Sequence, residues 1–215
     1  MIGLLGGTFD PVHVGHLRAA LEAREALGLE AVRLIPNARP PHRGLPAAPA
    51  PARLAMVRLA CAGEPGLAAD GRELARAGPS YTVDTLISLR RELGARRPLC
   101  LLLGADAARG LASWHRWREL FALAHLVVLR RPGQAAWEGA AGAELAARRA
   151  DGAAALAAAP AGRVLELEIP LLEVSASDIR RRIAAGRSVR FLVPDPVLDY
   201  IRRHGLYAGP AAKEP

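Results

Sequence analysis

Two histidines three residues apart, His13 and His16, follow a glycine pair in the stretch Leu4-Leu5-Gly6-Gly7-Thr8-Phe9-Asp10-Pro11-Val12-His13-Val14-Gly15-His16. Ile2 to Leu5 is an apolar run short enough for a buried strand, Gly6 and Gly7 break it, and a helical pattern starts near Gly15. A strand, a glycine turn and a helix N-terminus form an anion site. The turn and helix-start N–H groups lack partners, and the helix dipole adds positive potential. Glycine lets the backbone approach a phosphate closely, and the three-residue spacing lets both imidazoles face one anion. No Gly-Lys-Ser/Thr follows and no G-x-G-x-x-G is present, so this is neither a Walker loop nor a dinucleotide fingerprint.

A second constellation lies far downstream. Val174-Ser175-Ala176-Ser177-Asp178-Ile179-Arg180 runs into an amphipathic helix that stops at Gly186. Taken alone it reads as a serine-capped amphipathic helix, a common object, with two hydroxyls and Arg180 near one helix start.

The elements that must position these groups follow from periodicity. Leu17 to Leu27 reads as helix closed by Gly28, and Ala31 to Ile35 as a second strand. Strand, helix and strand in this order make a βαβ unit, so the fold is α/β with a parallel sheet flanked by helices. Ligands in such sheets bind beyond the C-terminal strand ends, which places Gly6–His16 and the Pro36-Asn37-Ala38-Arg39-Pro40-Pro41-His42-Arg43 loop on one rim. Residues 44–51 read as a mobile Pro/Ala linker, Ala52 to Ala62 as helix and Leu67 to Leu74 as a weak strand. Ser80 and Thr82 are candidate N-caps of a helix through Leu93 that Gly94 stops. The continuous apolar run Leu99–Leu103 is a central strand, and Gly104-Ala105-Asp106 ends it at the same rim, where a carboxylate can accept from ribose hydroxyls. Ala124–Leu129 and Val164–Ile169 are further strands, with one surface helix expected in the Ala-rich 133–162 stretch. Residues 1–186 read as the main domain, and 187–215 as a small C-terminal helical extension with Pro194 and Pro196 opening its helix.

Composition sets bounds. The chain has 215 residues, enough for one such domain, and 51% apolar residues for its core. Its net charge is +8, carried almost entirely by arginine, since Lys213 is the only lysine. The basic residues are scattered over helix faces and aromatics are only 4%, so no nucleic-acid surface is expected. An anionic small substrate accounts for the charge as well. With no signal segment and no membrane-length apolar run, no membrane association is expected and the setting is cytoplasmic. Cys61 and Cys100 read as buried free thiols, without a disulfide framework or metal cluster.

His-x-Gly-His after a first strand resembles the nucleotidyltransferase superfamily, related to class I aminoacyl-tRNA synthetases. The fuller Gly-Gly-Thr-Phe-Asp-Pro-Val-His-x-Gly-His string resembles the bacterial nicotinate-nucleotide adenylyltransferases, and the likeness spans residues 1–207 apart from the Ala-rich insert. It implies a Rossmann-like sheet and adenylyl transfer from ATP to nicotinate mononucleotide, with Mg²⁺ bridging the phosphates, by a monomer or homodimer. By this resemblance His13, His16 and Arg180 are catalytic. Gly6, Gly7, Thr8, Phe9, Gly15, Gly104, Asp106, Arg131, Ser175 and Ser177 contact ATP. Asn37, His42, Arg43, Ser80, Tyr81, Thr82 and Trp114 hold the mononucleotide. Arg43 is implied as its phosphate ligand, the Ser-Tyr-Thr segment as the seat of its carboxylate, and Trp114 as the ring stacked on nicotinate. The second signature departs from the family's Ile-Ser-Ser-Thr-x-x-Arg: Val174 replaces Ile, Ala176 the middle Ser and Ser177 the Thr, which keeps its hydroxyl. The Pro-Pro-His-Arg loop, Ser80-Tyr81-Thr82 and Trp114 argue against the superfamily's pantetheine-phosphate and cytidylyl-transferring branches.

Overall fold

A computed structural model describes residues 1–39, 44–131 and 140–209. Six strands form one parallel sheet in the order β3-β2-β1-β4-β5-β6: β1 Ile2–Gly7, β2 Ala31–Pro36, β3 Leu67–Ala69, β4 Leu99–Gly104, β5 His125–Arg130 and β6 Val164–Glu168. The chain builds outward from β1 to β3, then returns to place β4 on the other side of β1, so strand order reverses between β1 and β4. Crevices open at such switch points. Leu4 lies beside Leu101 and Leu5 beside Leu102 in that register, which brings the Gly7 and Gly104 ends to one rim.

The helices are α1 Val14–Leu27, α2 Ala50–Cys61, α3 Thr82–Leu93, α4 Ala105–Arg109, α5 Leu120–Leu123, α6 Gly142–Ala146, α7 Ala153–Ala157, α8 Ala176–Ala184 and α9 Asp195–Arg203. They cover both faces of the sheet, and the strand sequences show why. In β4, Cys100 and Leu102 join the cluster beneath α1, α2, α8 and α9, whereas Leu99, Leu101 and Leu103 join the one beneath α3 and α5. A strand buried on both faces reads as a continuous apolar run. Both cysteines are buried and free, and burial pushes the Cys61 thiol up to about 11 and Cys100 to about 12. Gly28 ends α1 in the left-handed conformation at φ 59°.

Four local expectations change. The 44–51 segment is no mobile linker: the Ala47 and Ala48 amides donate to the Asp10 carboxylate at 2.8 and 3.0 Å, and Ala48 is buried. β3 stops at Ala69, where Asp70 N–H still donates to Leu34 O but its side chain turns to Arg72. The Ala-rich stretch carries two short helices among its described residues rather than one surface helix, and Leu145 and Leu156 anchor them in the core. The N-cap of α3 is Tyr81, with no side-chain cap. The described C-terminal residues pack on the main sheet's own core, since Val193, Val197, Leu198 and Ile201 share a cluster with α1 and α2.

Candidate active site

A cleft of about 900 Å³ opens over the β1 and β4 ends. One end is built around the histidines. His13 is the N-cap of α1 and His16 its third residue. The His13 backbone N–H donates to His16 Nδ1 at 3.3 Å, and the two rings stack with centroids 3.7 Å apart. With Nδ1 accepting, the His16 proton sits on Nε2. The Phe9 ring meets His16 edge-on at 4.9 Å. Phe9 itself holds φ 49°, a left-handed conformation costly for a bulky residue, and burial of its ring keeps it there. A Cβ on Gly7 would lie 3.0 Å from that ring, a tight contact that glycine avoids. Burial pushes His13 down to about 4; burial, then the charge of His13, pushes His16 down to about 3. At neutral pH both are uncharged hydrogen-bonding rings.

The helix start offers fewer free amides than the sequence implies. Val14 N–H donates to Leu192 O, and His16 and Leu17 N–H to His13 O. The grip on an anion therefore falls to the rings. Gly15 does not line the cleft; its absent side chain leaves room for His13, whose Nδ1 would stand 3.1 Å from a Cβ there.

Two buried ionic groups brace this loop. Asp10 accepts from Ala47, Ala48 and the Tyr207 hydroxyl, the last at 2.7 Å. Arg53, 1% exposed, donates to Thr8 O at 2.6 Å, to Ala48 O at 3.1 Å and to Asn37 Oδ1 and Ala38 O, both at 3.4 Å. From α8, Arg180 donates to Asp10 O at 2.6 Å. Ser175 caps α8 through Asp178 N–H and shares a 2.6 Å hydrogen bond with Ser177 Oγ. Ser175, Ser177 and Arg180 line the cleft beside both histidines.

The opposite end is made by the α3 start and the segment after β4. Ser80 Oγ accepts from the Ala38 and Arg39 amides at 2.9 and 3.2 Å, joining this wall to the loop after β2. The Tyr81 ring lies tilted against His115 with centroids 4.3 Å apart, and Trp114 is half-buried. Asn37, Tyr81, Thr82, Gly104 and Asp106 also line the cleft. Asn37 Nδ2 donates to Thr8 Oγ1 at 3.4 Å, and Asp106 is exposed and pairs with Arg109. Trp117 is packing, edge-on to Phe121. Arg131 follows β5 on the same rim but outside the cleft lining, paired with Glu173. His42 and Arg43 lie outside the described residues.

Asp10, Arg53, Glu73 and Tyr207 belong to this architecture without a sequence motif that assigns them a role. Arg53 had a usable signal, since it shares the buried face of α2 with Val57 and Cys61 at intervals of four. The others had none. Among the described residues no group of three His, Cys, Asp or Glu could hold a metal ion, and Asp10 is committed to protein donors. That donor set fits a divalent cation held mainly by substrate phosphates and water.

Comparisons with known proteins give the family. The cytidylyltransferase-like family matches residues 4–182. A Pseudomonas putida (strain W619) protein, named a probable nicotinate-nucleotide adenylyltransferase, is 53% identical over 97% of this chain and 95% of its own. A protein of the same name from Stenotrophomonas maltophilia (strain K279a) is 54% identical over 95% and 96%. The solved Plasmodium falciparum nicotinic acid mononucleotide adenylyltransferase, complexed with NaAD, superposes with a TM-score of 0.70 over 96% of both chains; at 16% identity that likeness speaks for the fold. With a βαβ phosphate loop, a paired-histidine cleft and half its residues in common with these relatives over nearly the whole length, the chain belongs to the nicotinate-nucleotide adenylyltransferase family.

Proposed function

We propose that this chain transfers the adenylyl group of ATP to nicotinate mononucleotide, giving nicotinate adenine dinucleotide and pyrophosphate, in a cytoplasmic setting. The observation that carries the residue assignment is the stacked His13–His16 pair, which shares one cleft with the Ser175–Arg180 helix start and the Ser80–Trp114 wall. An oxygen of the acceptor's phosphate attacks the α-phosphorus in line. The new P–O bond forms as the bond to the α,β-bridging oxygen breaks, and its electron pair leaves with pyrophosphate. Phosphate is already a nucleophile, so the chain's task is positioning and charge stabilisation. His16 Nε2–H donates to the α-phosphate and His13 lies against the phosphate chain. Ser175, Ser177 and Arg180 hold the departing pyrophosphate. Gly6, Gly7, Thr8 and Phe9 line the nucleotide's path, and Asp106 beside Gly104 meets a ribose. Arg131, outside the cleft lining, is given no contact.

The Tyr81–Thr82 start of α3 seats the acceptor's carboxylate, with Trp114 over its ring and Asn37 at its side. By resemblance alone, His42 enters as a mononucleotide contact and Arg43 as the ligand of its phosphate. Magnesium fits as the companion of ATP: when bound, it neutralises triphosphate charge.

Pyrophosphate release tests this reading with ATP or CTP crossed with several phosphorylated acceptors. ATP with nicotinate mononucleotide should lead, exceeding nicotinamide mononucleotide at least about a hundredfold in kcat/KM, because an amide points a donor at donors. Equal use of acid and amide, or preference for CTP, would reject it.

A further inference from the structure

Glu73 lies in the turn after β3 and is 8% exposed, yet it belongs to the cleft wall with Ser80, Tyr81, Thr82 and Trp114. Its Oε1 accepts from Thr85 Oγ1 in the first turns of α3 at 2.6 Å. Among the described residues its Oε2 is buried with no hydrogen-bond partner. A buried carboxylate oxygen left without a donor is costly unless a proton or a ligand completes it.

Besides Thr85, the hydroxyl that acts on this carboxyl is Ser80, which is held by the Ala38 and Arg39 amides and makes no hydrogen bond to Oε2. Arg76 places its guanidinium on Thr85 Oγ1 at 3.4 Å and Tyr81 O at 3.5 Å. Asp70, on the same turn, adds negative charge and is itself paired with Arg33 and Arg72. Burial raises the Glu73 carboxyl above the usual carboxylate range, against the opposing pull of the Thr85 and Ser80 hydroxyls and of Arg76, with Asp70 adding to the rise. A second carboxylate brought to the same wall raises it further, because like charges at one site cannot both ionise cheaply.

We propose that Glu73 reads the acid form of the acceptor: on binding it takes up one proton from solvent, and Oε2–H donates to the pyridine carboxylate. This rests on the acceptor assigned above. Backbone amides at the α3 start and the Glu73 acid then face the carboxylate together. An amide in its place brings an NH₂ group, which only the ionised Glu73 can accept. Selectivity for the acid is therefore greatest where Glu73 protonates easily and declines as pH rises.

Calorimetric titration of wild type with nicotinate mononucleotide, in buffers of different ionisation enthalpy across about pH 6 to 9, reads the proton directly. Net proton uptake is expected wherever free Glu73 is ionised. E73Q should show none, since its amide donates to the ligand while its carbonyl still accepts from Thr85. Protons taken up by the ligand's own phosphate persist in both proteins and cancel in the comparison. The KM of E73Q should lie within about threefold of wild type only at the low end of that range and should lack the wild-type rise at high pH. E73A, which leaves Thr85 and the ligand carboxylate without a partner, should raise KM more than about tenfold. Wild type that binds nicotinate mononucleotide with no proton uptake at any pH would overturn the proposal while leaving the acceptor standing, and so would E73Q behaving like E73A. Wild type that does not bind this acceptor at all would remove the acceptor reading and this inference with it.

Discussion

The two ends of the cleft are built by different means. At the phosphate end, side chains are locked before any ligand arrives: the histidine rings stack, Phe9 abuts one of them, and Asp10 and Arg53 tie five segments of chain together. At the acceptor end, the wall consists of a helix start, a half-buried indole and one carboxyl oxygen lacking a partner. Charge transfer between phosphates demands donors already in place, since reorganisation there adds directly to the barrier. Telling an acid from an amide demands a site whose hydrogen bonds are completed by only one of them. The titrating groups follow the same division, with the histidines held below their ordinary range and Glu73 above its own.

The largest effect should come from removing a ring at the braced end. His16→Ala should lower kcat by about 2.7–4 kcal/mol, if loss of Nε2–H resembles loss of one oxyanion donor, with a far smaller change in KM. Steady-state kinetics on a variant with wild-type circular dichroism checks this, and a near-normal kcat would take His16 out of the transition state.

Next in size is the brace itself. Tyr207→Phe deletes only the hydroxyl that donates to Asp10. A hydrogen bond to a buried charge contributes about 1.5–3 kcal/mol. Chemical denaturation should show that loss, and kcat should fall more than either KM. A drop confined to the mononucleotide KM would mean that the two ends are not separately built.

The pH dependence of stability has a definite sign. His13 and His16 titrate lower in the folded chain, at about 4 and about 3, than in the unfolded one. The stability they confer is therefore complete above about pH 6.5 and is lost as pH falls through the folded values. Between about pH 6.5 and 5 the loss is at most about 2 kcal/mol per histidine. Buried His125, also lowered by burial, adds to it. Melting curves across that interval should show the fall, and His13→Gln with His16→Gln should make it shallower. An unchanged slope would contradict the burial of the pair.

The smallest effect belongs to the open end. Trp114→Ala should weaken both acid and amide acceptors by about 1 kcal/mol, because stacking does not read the carboxylate. A loss confined to the acid would assign the indole to charge recognition instead.

What the sequence discloses divides along the same line as the cleft. Strands, the βαβ order, the Gly28 stop and the two-faced burial of Leu99–Leu103 are local patterns of period and punctuation, so they can be read directly. The His13–His16 pair is also local. Asp10, Arg53 and Tyr207 are not: Arg53 reaches Thr8 across 45 residues, Arg180 reaches Asp10 across 170, and Tyr207 reaches it across 197. No periodicity records such pairings. Residues 44–51 show the same blindness, because Pro and Ala carry no polar side chain and the contacts that hold them are backbone amides to Asp10. Ser80 was legible as a polar residue before a helix, but its hydroxyl serves the neighbouring loop rather than the helix end. Glu73 looked like one charge among many in a weak strand.

The Tyr207–Asp10 contact has a consequence for the order of assembly. The loop carrying both histidines is synthesised well before its last hydrogen-bond donor, which lies 197 residues downstream of Asp10. A contact that closes so long a loop is gained late, after the local βαβ units have formed. A nascent chain can thus complete β1, α1 and β2 and still present a phosphate loop whose central carboxylate lacks that donor. Catalytic competence would then arrive as a final step, when the segment around residue 207 docks, rather than growing in proportion to the sheet.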